Sequence, residues 1–366
     1  MGRRPEGAAM SNVTRLQNAI SEAGIPAIVI TSLPSVNWLT GFTGSFGLAV
    51  VTARSGVFIT DSRYTIQAGE QCRDLPSKSF KNPTNVVDFL HEQLKELGVN
   101  QLAFDQNNVT VAQHSRWSET FSGVELTPTD DPIEKLRQFK TAQEVALVQK
   151  CCRVTDEALE LLIDLLRPGV TELQLLWDLQ DFLRLHGATL AFDPIIVSGE
   201  RTARPHGDPS EKTIEKGEFV TFDIGARIDG YCSDITRTVV MGPATDRQRE
   251  VYEHLLKAQV ACIDAMRPGA NGKDVDALAR SILDEKDLGQ YFGHGLGHGL
   301  GALVHDTGRL SPIIDQKIEV GQIWTIEPGV YIEGFGGMRI EDDIVITERE
   351  PHVLTTFPKQ LIEVSC

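Results

Sequence analysis

The stretch "EKGEFVTFDIG" at residues 215–225 aligns without gaps to "EVGQIWTIEPG" at 319–329, an offset of 104 residues (327 − 223) that places Asp223 on Glu327. Further along, "DGYCSDIT" parallels "EGFGGMRIEDDIVIT" with a three-residue insertion, and Asp234 falls on Glu341. The helical stretches before each copy end alike, at Arg167-Pro168-Gly169 and at Arg267-Pro268-Gly269. Such a repeat requires the carboxyl-terminal part of the chain to fold as two related halves. Duplicated packing alone would not need acids at matching strand positions between apolar neighbours. Matching acids point to a site shared by the two halves.

The turn signals bring those acids together. Asp223 and Asp234 would stand roughly 36 Å apart in one straight strand. Asp229-Gly230 between them is a strong hairpin signal, and folding there sets the two aspartates nearly opposite each other. Glu333-Gly334 does the same for Glu327 and Glu341. Four acids converging in a sheet interior repel one another unless a cation neutralises them.

The segment "YFGHGLGHGLGALVH", residues 291–305, supplies imidazoles. Glycine costs about 1 kcal/mol in a helix interior, so the alternation reads as extended chain. His294, Leu296 and His298 then share one face, and the glycines let a neighbouring backbone approach. His305 follows a further bend, and His206 lies in the polar loop "ARPHGDPS". Four carboxylates with the His298 imidazole form a hard, oxygen-rich set. It suits two divalent ions that share carboxylates, manganese first with cobalt or zinc as alternatives, better than a structural zinc site.

Upstream, "PAIVI", "FGLAVVT", "GVFIT" and "QLAFD" read as strands, and "TNVVDFLHEQLKELG" as a helix stopped at Gly98. The cluster "TPTDDP" ending at Pro132 reads as a linker, and the residues from Ile133 to Gly169 as continuous helix. The expected organisation is α+β, with an extension over residues 1–10 in which Met10 offers a second start, an α/β domain over 11–132 and the duplicated domain over 133–366. A net charge of −16 argues against nucleic acid as a partner. No run of eighteen apolar residues and no secretion signal are present, so neither a membrane nor an oxidising compartment is expected. The six cysteines, without metal-ligand spacing, read as reduced thiols of a cytoplasmic protein.

The motifs "TFDIGARIDGYCSDITRT", "FGHGLGHGLGALVHD", "TIEPGVYIEGFGGMRIEDDI" and "PHG" resemble the proline-specific branch of the pita-bread metallopeptidases, the Xaa-Pro dipeptidases (prolidases) and Xaa-Pro aminopeptidases (aminopeptidase P). The resemblance extends to "SVNWLTGFTGS" in the amino-terminal domain and covers nearly the whole chain. It implies a pita-bread catalytic domain whose metal ligands are Asp223, Asp234, His298, Glu327 and Glu341. Asp234 and Glu341 would bridge the two ions. It places active-site histidines at His206, His294 and His305, substrate contacts at His294, His305 and Arg339, and a proton-transfer role at Glu327. It further implies proline-containing dipeptides or peptides as substrates and a homodimer in which Trp38 lies either in the core or over the partner's site. Tyr231 and Tyr331 read as core hydroxyls. "VHD" at 304–306 leans toward aminopeptidase P, whereas the compact length leans toward a dipeptidase, and the dipeptidase is placed first. The intact ligand set argues against a metal-free creatinase and against a peptidase-like binding module. The large amino-terminal domain argues against a methionine aminopeptidase.

Overall fold

The computed structural model describes residues 10–365. The extension expected over residues 1–10 therefore lies, Met10 aside, outside the described residues. The chain divides into two compact units between Leu136 and Arg137.

In the first unit a six-stranded sheet runs in the order Ser77–Phe80, Gly56–Asp61, Leu48–Thr52, Ala27–Ile30, Gln101–Asp105, Glu125–Thr129. The strand Ala27–Ile30 is apolar throughout because both of its faces are buried. Ile28 and Ile30 join one cluster and Ala27 and Val29 the other, as side chains alternate along a strand. Trp38 is buried in the first of these clusters. Part of the expected linker, "TPT", instead forms the end of the edge strand Glu125–Thr129, where Pro128 is tolerated because an edge has an unpaired side.

The continuous helix expected over 133–169 is broken. A short helix covers Pro132–Gln138, and a new one covers Ala142–Leu165. Thr141 accepts from the backbone of Glu144 while the Glu144 carboxylate accepts from Thr141 N, a reciprocal cap that starts the second helix.

The second unit repeats itself as the sequence requires. Each half has two helices, Ala142–Leu165 with Glu172–Leu185 and Asp246–Ala265 with Gly272–Asp284. Gly169 N donates to Ile214 O at 2.9 Å, and Gly269 N to Ile318 O at 2.8 Å, so both Pro-Gly stops are pinned in the same way. In the first half the strands Ile195–Ser198, Phe219–Ile224 and Ile235–Met241 are antiparallel neighbours. In the second, Gly297–Gly299, Ile323–Ile326 and Asp342–Val345 are. Each half has its own apolar core, around Leu159, Leu179 and Phe222 in one and Leu255, Trp324 and Ile344 in the other. A smaller cluster with Cys152, Cys232, Leu300 and Ile323 draws on both halves. The five cysteines among the described residues are buried and free. No helix among these residues is long and apolar enough to cross a membrane.

The histidine-glycine segment is less regular than expected. Only Gly297–Gly299 forms strand, and the chain bends through Gly293–Leu296, so His294 does not share a strand face with His298. The glycines act through close approach nonetheless. A Cβ on Gly297 would lie 2.1 Å from Thr325 O, and one on Gly299 2.1 Å from Thr307 O, whereas one on Gly293 would meet nothing within 4 Å. Gly297→Ala is therefore expected to destabilise the protein by about 1–3 kcal/mol, the usual cost of overpacking, with Gly293→Ala close to neutral. Thermal melts of both variants check this; equal melting temperatures would show that the strands can part at no cost.

Candidate active site

The two hairpins place the acids. Asp229 and Gly230 both have positive φ, at 51° and 85°, and close a two-residue turn between Ala226–Ile228 and Tyr231–Cys232. Strand pairing sets Thr236 opposite Asp223 and Ile235 opposite Ile224, so Asp234 lies just beyond the paired region. In the other half Ile326 pairs with Asp342, which leaves Glu327 and Glu341 at the same end of their strands. All four acids line one cavity of about 550 Å³, together with His206, His294, His298, His305 and Arg339. The four acids, four histidines and Arg339 named from the sequence thus stand in a single pocket.

Asp234, His298 and Glu341 each offer one ligand atom within 4.8 Å of the others. His298 Nε2 lies 3.6 Å from Asp234 Oδ2 and 3.4 Å from Glu327 Oε1. Its Nδ1 faces Gly299 O at 3.1 Å and so carries the ring proton, which leaves the Nε2 lone pair toward the acids. Burial, followed by the charges of Glu341, Asp223, Asp343 and Glu327, pushes the Asp234 carboxyl well above its usual range. Glu341 is raised by burial and by Glu327 and Asp223. Burial raises Glu327 to about 7 in spite of Arg339, and lowers His298 to about 3. Asp223 Oδ1 and Asp234 Oδ1 are buried with no hydrogen-bond partner in the protein. Acids that resist ionisation, orphaned carboxylate oxygens and a neutral imidazole are what a site for divalent ions looks like before its charge is supplied. The donor set fits.

Residues that sequence reasoning passed over hold the candidate ligands. Thr236 Oγ1 donates to Glu341 Oε2 at 2.6 Å and accepts from Arg339 Nε at 2.9 Å. Thr325 Oγ1 donates to Glu327 Oε1 at 3.2 Å and accepts from His298 N at 3.0 Å. Thr325 was findable, since it lies two residues before Glu327 and shares its strand face. Asp343 Oδ2 accepts from Asp234 N at 2.9 Å, and nothing local in the sequence announces this pairing. Arg339 ion-pairs with Asp223 and donates to the Tyr331 hydroxyl at 2.6 Å, which lies 2.9 Å from His294 Nε2. Tyr331, read as a core hydroxyl, therefore belongs to the site. Burial opposes the charge of Arg339, but Tyr331, Asp223, Glu341 and Glu327 hold it firmly protonated. His294 is lowered to about 4 by burial and by Arg339, and His305 is lowered by burial and by Arg309. Arg309, also unanticipated, is exposed in the cavity wall.

Two acids from each half and one imidazole make a donor set suited to divalent metal, and comparison with known proteins says which class of protein carries it here. Residues 146–348 match metallopeptidase family M24, residues 13–139 match the creatinase/prolidase N-terminal domain, and the chain belongs to family M24. An uncharacterized peptidase of Bacillus subtilis, YqhT, is 39% identical over 95% of this chain and 98% of its own. The solved structure of a Xaa-Pro dipeptidase from Bacillus anthracis is 40% identical, with a TM-score of 0.91 and coverage of 96% and 98%. An X-Pro aminopeptidase from Thermotoga maritima is 32% identical, with a TM-score of 0.89 and coverage of 95% and 100%.

Because the bare acids repel, Asp234→Asn is expected to raise the melting temperature of the metal-free protein. Mn²⁺, as a probe divalent ion, is expected to stabilise the wild type by about 2.7 kcal/mol at a hundredfold excess over Kd, and the same change should remove that gain. Melts with and without Mn²⁺, with metal content by mass spectrometry, test both parts. A wild-type response to Mn²⁺ in Asp234→Asn would remove Asp234 from the ligand set.

Proposed function

We propose that this chain is a dinuclear Xaa-Pro dipeptidase that cleaves the bond between an amino-terminal residue and a following proline. The observation that carries the reading is the joint presence, in one cavity, of the five-donor cluster and the exposed cation Arg309. A dipeptide ends in a free carboxylate beside its proline ring, and a guanidinium is the side chain best suited to grip it. The charge of Arg309 is felt by His305, His298 and Glu327, so it faces the cluster electrostatically.

Asp223, Asp234, His298, Glu327 and Glu341 would hold two divalent ions, with manganese favoured by the oxygen-rich donors. When bound, such ions polarise a carbonyl and make water nucleophilic near neutral pH. The protein's own part is positioning and proton traffic. His305 would donate to the oxygen of the scissile carbonyl as charge grows there, and His294 would line the substrate side of the pocket. Both nitrogens of the His294 ring are committed, Nδ1 to Gly295 O and Nε2 to the Tyr331 hydroxyl, which Arg339 fixes in turn. Glu327 carries the proton to the leaving nitrogen. Proline offers no N–H to grip, so recognition falls on the ring and on the carboxylate. Dimerisation and a cytoplasmic site of action form part of the same reading.

Aminopeptidase P is the second reading, favoured by the Thermotoga likeness. The "VHD" sequence lends it little weight, because Asp306 is fully buried against Arg137, at 3.1 Å, and lies outside the cavity. Mn²⁺-loaded protein should cleave Ala-Pro and leave Ala-Pro-Ala-Ala intact, as judged by mass spectrometry of the products. Arg309→Met should raise KM for Ala-Pro by about tenfold or more, the loss of one charge-assisted contact. Release of alanine from the tetrapeptide would establish aminopeptidase P instead.

A further inference from the structure

The helix Gly272–Asp284 buries an acid where its pattern calls for an apolar residue. Val275, Ala279, Ile282 and Leu283 pack into the core of the second half. Asp276, beside them, is fully buried. One turn on, Arg280 forms a two-point ion pair with it, Nε to Oδ2 at 2.7 Å and Nη2 to Oδ1 at 3.2 Å. On an exposed helix such a pair would be a minor stabiliser. With Asp276 fully buried and Arg280 partly so, it gains little over an apolar pair of similar volume. Its value lies in what it touches.

Every remaining contact of the pair runs to the segment that carries His294. Asp276 Oδ1 accepts from Leu296 N at 3.0 Å. Arg280 donates to Phe292 O at 2.9 Å and to His294 O at 2.6 Å. Its guanidinium also lies over the Phe292 ring, 4.4 Å from the centroid, and that ring meets the His294 ring edge-on at 5.0 Å. Leu296 joins the sheet on both sides, its N donating to Leu310 O at 2.7 Å and its O accepting from Glu327 N at 2.8 Å, while the carbonyls of Phe292 and His294 are taken by Arg280. Side chains of one helix thus add to the sheet's hold on Leu296 and fix both the backbone of His294 and a wall beside its imidazole.

We propose that Asp276 and Arg280 are positioning residues for His294, holding its Nδ1–H against Gly295 O so that Nε2 stays paired with the Tyr331 hydroxyl. The proposal rests on the reading of the cavity as a peptidase site only for its catalytic consequence; the positioning itself is independent of substrate. His298 is anchored separately through Thr325, so the clamp acts on one histidine and spares the metal ligands.

Arg280→Lys keeps the charge beside Asp276, but one ammonium cannot reproduce the planar fork. Asp276→Asn serves as the second variant if the first does not fold. In ¹⁵N spectra of the histidine rings, assigned with His294→Ala, the wild-type His294 is expected as a single Nδ1–H tautomer. In Arg280→Lys it should become a mixture, with His298 unchanged. An unaltered His294 signal overturns the proposal whether or not the enzyme cleaves Ala-Pro. A substrate failure in the wild type would instead sink the dipeptidase reading alone. For activity, Arg280→Lys is expected to lower kcat by about tenfold to a hundredfold, with metal content retained. Placed on His294→Ala it should cost no more than about twofold, since its effect passes through the missing ring. Equal losses in both backgrounds would make Arg280 a general structural residue and overturn the positioning role.

Discussion

Four carboxylates buried around one cavity repel each other, and the second unit is organised around that repulsion. Asp223 is compensated by Arg339, Glu341 by Thr236 and Glu327 by Thr325, while Asp234 is held only through its backbone, by Asp343. The duplicated sheet makes the convergence geometrically cheap, because each half delivers two acids at the end of one paired hairpin. The fifth donor is harder to place. His298 reaches the acids only because the chain on either side of it lacks a Cβ and lies flush against Thr325 and Thr307. Glycine alternation and metal chemistry are therefore one requirement, not two.

The parts of this arrangement that follow a local period were legible in the sequence. Strand alternation, the Asp-Gly turn and the repeat fixed the register of the acids, and the apolar runs of the first unit became strands where expected. Helix periodicity misled at residues 139–141, where Thr141 and Glu144 spell a capping box that a long apolar pattern concealed. Contacts that join distant segments were invisible. Arg339 to Asp223, Tyr331 to His294 and Arg137 to Asp306 link residues separated by 116, 37 and 169 positions. No window of sequence contains both partners. Asp306 shows the hazard most clearly, since it stands next to a cavity-lining histidine in the chain and yet turns away into a buried ion pair.

Three buried acids outside the cavity follow a common logic. Glu172 accepts from the backbone and hydroxyl of Ser198 and Ser210, flanking the loop of His206. Asp276 ties down the segment of His294, and Asp306, the residue after His305, anchors its own segment to Arg137. His206, His294 and His305 ride on irregular chain, which by itself would wander on the scale of the chemistry. Each is tethered from behind by a carboxylate that the solvent cannot reach.

The long reach of these bonds has a bearing on synthesis in the cell. Asp234 to Asp343, Thr236 to Glu341 and Arg339 to Asp223 span 109, 105 and 116 residues. A chain emerging from the ribosome exposes its first two acids long before their partners exist. Until residue 343 is free to fold, those aspartates belong to an incomplete sheet and form no closed donor cage. Capture of the ion thus marks the end of folding rather than its beginning, and a nascent chain has no means of trapping the wrong metal early in a finished site.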